Sequence, residues 1–600
     1  MTRVKSSTAT ASAPASAAKV SKSKVSKASK GTKTAKKLSP YNKYMKNEIS
    51  KVKNDNPGIT HKEAFKMVAL SWKTAPENPK VIAAKPLTTA PAAAPSSNEA
   101  IKKQRQQALN DLGLELYPRY TPPPMGYPLV THALVHSRWG HAMDNGAKLT
   151  DVQLTVQGRI VSKREASKKL FFFDVEQDGQ TVQVVSSQAR FTGDIKRFRS
   201  LNRALMSGDI IRASGFVGKT NTGETSVFAV ELLELLAPCL RPIPLRSGFS
   251  DSEKRFRSRH LDLLVNPKAK RGLIMRSQVL QYIRSFLDAR QFVEVETPIL
   301  SPNVGGASAR PFTTTSVAFG DTPLFMRVAP ELYLKQLVIG GLNRVYEIGK
   351  QFRNEGVDAD HNPEFTTCEF YQAYASLEDL MQMTEDMLRG MVKKLTGSTI
   401  VQQSDNIDSI DFNTPFRRVD VMKTLCEHVP ELSDIDNGEA LPKLQHILEK
   451  HHIVAPHPHT VPRLLDRLIG HYIEPQCIQP TFLYGHPSIM SPLAKCVDGN
   501  GKIAARFELF INGKEFVNAY EELNDPDLQR DKFQIQCEDR IKGDEEVPPP
   551  DIAFCNALES ALPPTAGWGM GIDRLIALLA GFSHLRETIS FPVMRPTSLK

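Results

Sequence analysis

Acidic residues are missing from the first 47 positions of the 600-residue chain, which carry Arg3 and eleven lysines. That segment alone accounts for the formal net charge of +12. Cysteine is scarce and scattered: Cys239, Cys368, Cys426, Cys477, Cys496, Cys537 and Cys555 form no CxxC pair, which excludes a disulfide framework or a zinc ribbon and suits a reducing compartment. No apolar run approaches the roughly 20 residues that cross a bilayer; the strongest candidate, Leu575 to Gly581, is a short buried-helix pattern, and no membrane association is expected. No GxxxxGK[ST] stretch occurs, so a P-loop is excluded. What is present is ordinary globular composition, 40% hydrophobic and 24% charged, on a chain too long for a single core.

Residues 1–38 are Ser/Thr/Ala/Lys-rich and nearly free of large apolar side chains, the composition of a disordered basic tail that attracts a polyanion. In residues 39–80, Pro40 suits the first turn of a helix bearing Tyr41, Tyr44, Met45, Ile49 and Val52, and Asn56-Pro57-Gly58 breaks it. Thr60 with Glu63 is a capping box opening a second helix that buries Phe65, Val68, Ala69 and Trp72. This stretch resembles the HMG-box family in its plant YABBY form, without the long third helix, which implies sequence-tolerant contact with a phosphate backbone. Residues 81–98 form an Ala/Pro/Thr linker. Residues 99–240 begin with a charged helix and continue as five alternating strands, the pattern of an OB-type β-barrel. On the second strand Phe171, Phe173 and Val175 share the core face, and Phe172 projects outward amid Arg159, Lys163, Arg164, Lys168 and Lys169, as base stacking requires.

The largest domain, 249–600, mixes helix and strand and carries three segments with chemical content. Arg290-QFVEVETPIL is a helix entering a strand that stops at Pro298. VYEIGKQFRNEG followed by DHNPEFTTCEFYQAY places Arg353, Glu355, His361, Phe365, Glu369 and Tyr371 along strand, loop and strand. GWGMGIDR is a glycine-rich strand opening a helix that bears Arg574, where backbone can approach an anion closely. Between them, RFELFINGKEFVNAYEELND carries Glu508 and Glu515.

In this order the segments match motifs 1, 2 and 3 of the class II aminoacyl-tRNA synthetases, and from about Ala100 to Pro596 the chain resembles the lysyl-tRNA synthetase family. The resemblance implies an α+β fold: a class II antiparallel sheet flanked by helices, preceded by the OB-type anticodon domain and the small HMG-like module. It implies a ligase that joins lysine to ATP as lysyl-adenylate, releases pyrophosphate and passes lysine to the 3′ end of tRNA(Lys). Carried over by position, Arg353 and Arg574 are catalytic. Gly306, Glu331, Glu369, Tyr371, Asn518 and Glu522 bind lysine. Arg353, Asn354, Glu355, His361, Asn362, Phe365, Glu515, Phe516, Gly571, Ile572, Asp573 and Arg574 bind ATP. Glu508 and Glu515 hold Mg²⁺, and Phe172 meets the anticodon. A homodimer built on motif 1 is implied. The acid-free tail, with RHLDLLVNP and TPFRRVDV resembling fungal mitochondrial members, points to the mitochondrion, with the cytoplasm as alternative.

Overall fold

The computed structural model describes residues 40–55, 58–72, 97–245, 248–402, 409–413, 415–434, 440–497 and 501–596. The expected basic tail and most of the expected linker lie outside the described residues. The chain divides into two compact units, residues 1–100 and 101–600.

In the first unit, helices α1 (Pro40–Asp55) and α2 (His61–Ser71) form a pair. Pro40 opens α1, where its missing N–H has no intrahelical partner to lose. The capping box before α2 is formed in both directions: Thr60 N–H donates to Glu63 Oε2 at 3.1 Å, and Glu63 N–H to Thr60 Oγ1 at 3.3 Å. Tyr44 and Trp72 pack ring to ring at 5.1 Å. Phe65 departs from expectation. It is 45% exposed, while Ala64 and Val68 are buried. Ala64 and Val68 are one helical turn apart on one face, and Phe65 is rotated about 100° from Ala64. The small side chain makes the contact, and the large one beside it points outward.

Helix α3 (Ser97–Asn110) spans the boundary at residue 100, and the second unit continues with a barrel of six strands, β1 (Lys148–Ser167), β2 (Leu170–Gln177), β3 (Gln180–Ser187), β4 (Ile210–Lys219), β5 (Thr225–Ala229) and β6 (Glu234–Ala237), with α4 (Ile195–Ala204) between β3 and β4. Their order is β1-β2-β3-β5-β4-β6, and β1 also pairs with β4, so the barrel closes. Five strands were expected; the last, SVFAVELLELLAP, is two. β5 pairs with β3 and β4, whereas β6 pairs only with the start of β4 around Ile210 to Arg212, so the chain turns between them. Phe171 and Phe173 fill the barrel core as predicted. Phe172 lies on the other face with Val185, Phe216 and Phe228.

The rest of the unit is built on an eight-stranded sheet. Its elements are α5 (Pro267–Asp288), β7 (Val293–Glu294), α6 (Glu331–Ile339), β8 (Arg344–Phe352), β9 (Glu364–Ala373), α7 (Leu377–Thr396), β10 (Arg417–Asp420), α8 (Ala440–Lys450), α9 (Val461–Tyr472), β11 (Thr481–Tyr484), β12 (Arg506–Ile511), β13 (Lys514–Glu521), α10 (Ile552–Leu558), β14 (Thr565–Gly571) and α11 (Ile572–Ala580). The sheet order is β10-β11-β12-β13-β14-β9-β8-β7. Six strands from β11 to β8 pair antiparallel, and each edge adds one parallel strand. One sheet face is buried under α5, α7 and α11. There Trp568 stacks on Phe370 at 4.7 Å, and its indole N–H donates to Thr384 Oγ1. α7 is fixed at both ends by its sequence, with a Ser376/Asp379 capping box and Gly397 in the left-handed conformation (φ 78°). The opposite face is covered in part by α6 and α10 around Tyr371 and Ala373 and carries the site.

Candidate active site

Alternation along three adjacent strands builds the pocket. On β9, Phe365, Thr367, Glu369 and Tyr371 line a cavity of about 550 Å³, and along β13 and just past its end, Phe516, Asn518, Tyr520 and Glu522 do the same. Between them runs β14, whose pocket-facing positions are Gly567, Gly569 and Gly571. The glycine at 567 is a spatial requirement: a Cβ there would stand 2.0 Å from Glu522 Oε1 and 2.5 Å from the Tyr371 ring. The pocket therefore has two walls of side chains and a floor of bare backbone.

Three carboxylates converge on this cavity. Glu331, at the start of α6, is 5% exposed, Glu369 is 9% and Glu522 is 1%. The Tyr520 hydroxyl lies 2.7 and 2.8 Å from the two Glu331 oxygens, to which it donates. Gly306, with φ +87°, brings a loop backbone beside Glu331, where even a Cβ would be crowded at 3.2 Å. Burial, reinforced by Glu331, pushes the Glu369 carboxyl up to about 8. Burial also drives Glu522 upward, against the pull of Lys335.

Arg353 lines the same cavity, with its guanidinium carbon 5.1 Å from the Phe365 ring centroid. Its Nε is buried and has no hydrogen-bond partner among the described residues. At the far end, Arg574 at the start of α11 donates to the Glu515 backbone carbonyl at 2.6 Å. His361 Nδ1 lies 3.0 Å from Asp358, and the Asn362 side-chain amide donates to the Glu364 carbonyl. Glu508 and Glu515 sit on neighbouring strands β12 and β13, and both line the cavity. Burial opposes the charge on Glu508, but Arg506 and His486 outweigh it and hold the carboxyl down at about 2. Glu508 and Glu515 offer carboxylate oxygens of the kind Mg²⁺ takes while keeping several waters; in this structure Glu508 Oε2 faces His486 at 3.2 Å and Oε1 pairs with Arg506.

The structure thus brings together every residue expected to touch lysine, and Arg353, Glu355, His361, Asn362, Phe365, Glu515, Phe516, Gly571, Asp573 and Arg574 from the nucleotide set. Asn354 and Ile572 are not in the cavity lining: Asn354 is exposed on the loop, and Ile572 is fully buried in the core beneath the sheet. Asp573 borders the cavity, but its carboxylate is occupied. Thr366 N–H donates to it at 2.8 Å, Arg276 is ion-paired to it, and Thr588 Oγ1 is 3.4 Å away. It ties β9, α5 and α11 together. Phe172 stands apart on the barrel, under the Arg164 guanidinium at 4.2 Å. Of the cations expected around it, Arg159 and Lys163 are committed to backbone carbonyls of Gly208, Arg203 and Leu205.

Comparison with known proteins agrees with this geometry. The family model described as tRNA synthetases class II (D, K and N) matches residues 251–595. The chain belongs to the class II tRNA synthetases. A model for the OB-fold nucleic-acid-binding domain matches residues 154–235, and one for the YABBY protein C-terminal region matches 16–81. Among similar proteins, lysine–tRNA ligase cla4 of Cladosporium cladosporioides is 46% identical over 75% of this chain and 77% of its own length. A probable cytoplasmic lysine–tRNA ligase of Enterocytozoon bieneusi is 43% identical over 82% and 96%, and the mitochondrial lysine–tRNA ligase of Schizosaccharomyces pombe 42% over 82% and 93%.

Some parts of this class II synthetase site had been passed over in the sequence. Tyr520 follows from the alternation that carries Asn518 and Glu522, and Gly569 from the spacing of GWGMG. Arg506 was masked by its neighbour Glu508. It donates to Asn518 Oδ1 at 3.1 Å and Ser491 Oγ at 2.9 Å and pairs with Glu508, so it joins the amino-acid wall to the expected metal acids. Arg327 and Glu347 form a buried pair at 2.5 Å behind β8, with Thr297 donating to the same carboxylate; no local pattern marks them.

Proposed function

We propose that the protein is a lysine–tRNA ligase, and one observation carries the reading: three buried carboxylates, Glu331, Glu369 and Glu522, converge in the cavity that also holds Arg353. A dicationic amino acid compensates such a site, because Lys335 offsets only part of its carboxylate charge and an uncharged side chain would leave the remainder unmatched. Family membership and relatives named lysine–tRNA ligases support it.

The chemistry follows from the charges. In activation a lysine carboxylate oxygen attacks the α-phosphorus of ATP, the bond to the bridging oxygen breaks, and pyrophosphate leaves. Two anions must meet, so a fixed cation between them lowers the barrier. Arg353 stands between the carboxylate end of the amino-acid pocket and the nucleotide side, and Phe365 offers adenine a flat face beside it. Arg574 is placed for the distal phosphate. Glu508 and Glu515 would hold Mg²⁺, which supplies charge neutralisation to the phosphates. In the second half-reaction the terminal hydroxyl of tRNA attacks the activated carbonyl and AMP leaves. Phe172 with Arg164 gives an anticodon base a planar, cationic partner. Assembly as a homodimer and residence in the mitochondrion belong to the same reading, the latter on the acid-free tail and tested by imaging the tagged protein.

Charging of total tRNA with each labelled amino acid and ATP tests the assignment: lysine alone should become acid-precipitable. Activation of a different amino acid, or lysine transfer to a protein in place of tRNA, would refute it.

Two narrower results are expected. Glu369, with its carboxyl near 8 in the empty pocket, is mostly protonated at neutrality, and an incoming ammonium favours its ionised form. Lysine binding at about pH 7 should therefore release a proton, and the KM for lysine should fall as pH rises toward about 8. Calorimetry in two buffers of different ionisation enthalpy measures this, and a buffer-independent heat would contradict it. Phe172→Ala should raise the KM for tRNA about 10-fold, the scale of one lost base–aromatic stack, while lysine-dependent pyrophosphate exchange stays unchanged.

A further inference from the structure

Lys335 is fully buried behind the amino-acid pocket and does not line the cavity. It lies one turn after Glu331 on α6, with Nζ 2.6 Å from Glu331 Oε1 and 2.5 Å from Glu522 Oε2. The ammonium also sits 5.6 Å from the ring centroids of both Tyr520 and Phe554. Isolated burial would strip its proton, but the two carboxylates outweigh this and hold the ammonium charged. One cation therefore clamps two of the pocket's three acids, which come from chain segments nearly 200 residues apart.

We propose that Lys335 is a specificity-positioning residue: without touching the substrate, it bridges Glu331 and Glu522, fixes their separation and sets how much negative charge the pocket presents. The charge balance supports this. With lysine bound and Glu369 ionised, three carboxylates facing Lys335 and Arg353 leave a single negative charge, and lysine carries a single net positive one. Without the clamp, Glu331 and Glu522 would face each other and Glu369 in a low dielectric, and the relief open to them is to take up protons. The groups around the triad are few: Tyr520 on β13, Tyr371 and Glu369 on β9, apolar Phe554 on α10, and Arg506 beyond Tyr520. Among the described residues, Lys335 is the cation paired directly with Glu331 and Glu522. Protonated acids cannot bind ammonium groups well, so the loss should fall on lysine and not on ATP.

The inference rests on the lysine reading, and the experiment separates the two. Wild-type protein is first assayed for lysine-dependent ATP–pyrophosphate exchange; failure there ends the lysine reading itself. With wild-type activity in hand, K335M should raise the KM for lysine roughly 30-fold or more at about pH 7, the scale of removing one member of a buried ion pair. The KM for ATP should hold within about 2-fold. At about pH 8.5 the mutant-to-wild-type ratio of lysine KM should shrink, because the acids regain charge without the clamp; taking the ratio cancels titration of free lysine. K335R keeps the charge but places a larger planar group in a closed space. Its lysine KM should rise about 5-fold or more, with a ratio that does not change with pH. Should K335M give no folded protein, K335R decides: an unchanged lysine KM overturns the proposal. So does a parallel rise of both KM values in K335M, or a lysine effect of equal size at both pH values, either of which marks a merely structural lysine.

Discussion

Arg353→Ala should lower kcat for lysine-dependent pyrophosphate exchange by about 10³-fold, with thermal stability close to wild type. The size follows from the task assigned to this guanidinium: it neutralises charge that accumulates only as carboxylate and α-phosphate approach, and loss of such a donor typically costs about 10²–10³-fold. Its Nε has no hydrogen-bond partner among the described residues and its guanidinium packs over Phe365, so little of the fold depends on it. Arg353→Lys is expected to restore little, because a point charge cannot span two anions as a planar fork does. Stopped-flow or single-turnover formation of the adenylate separates this from a binding defect. A KM effect on lysine or ATP at unchanged kcat would remove Arg353 from the reacting centre and leave it as a binding group.

Glu522→Gln should raise the KM for lysine by about 100-fold and leave the KM for ATP near its original value. Glu522 is almost completely buried, pairs with Lys335 and shares the pocket with two other carboxylates. The amide keeps the volume but removes the charge that an ammonium needs in a low dielectric, a loss of ~3 kcal/mol on the scale of a broken buried pair. The substitution also leaves Lys335 with Glu331 alone, so part of the effect is indirect. Comparing E522Q with K335M and the double variant apportions it: coupled residues give far less than additive loss. Normal lysine kinetics in E522Q would place the carboxylate outside the pocket.

Much of this arrangement could be read before any coordinates. Period-two alternation within Glu364 to Phe370 puts Phe365, Thr367 and Glu369 on one strand face, and the same rule separates Phe172 from its neighbours Phe171 and Phe173. The Thr60/Glu63 cap and Pro40 marked the ends of two helices, because those signals act within four residues. Illegible features were those set by distant neighbours. Lys335 reads as an ordinary helix-surface cation in APELYLK until β13 brings Glu522 to it. Asp573, inside a nucleotide-binding motif, turns inward because Arg276, nearly 300 residues earlier, meets it there. The extra barrel strand and the outward turn of Phe65 depend likewise on where a partner element lies, which local periodicity does not encode.

The bare central strand has a practical consequence for anyone refitting the enzyme to an unnatural amino acid. In the proposed reading the amino-acid pocket is written on two lateral strands together with Glu331 of α6, and Lys335 couples Glu522 to Glu331. The middle strand is a common baseline that leads directly into α11 and Arg574, seven positions beyond Gly567, which the proposed reading sets at the nucleotide. Libraries that vary 369, 371, 518, 520 and 522 would reshape the side-chain chamber alone, whereas any bulk added at 567 would shift the baseline and misalign both substrates together.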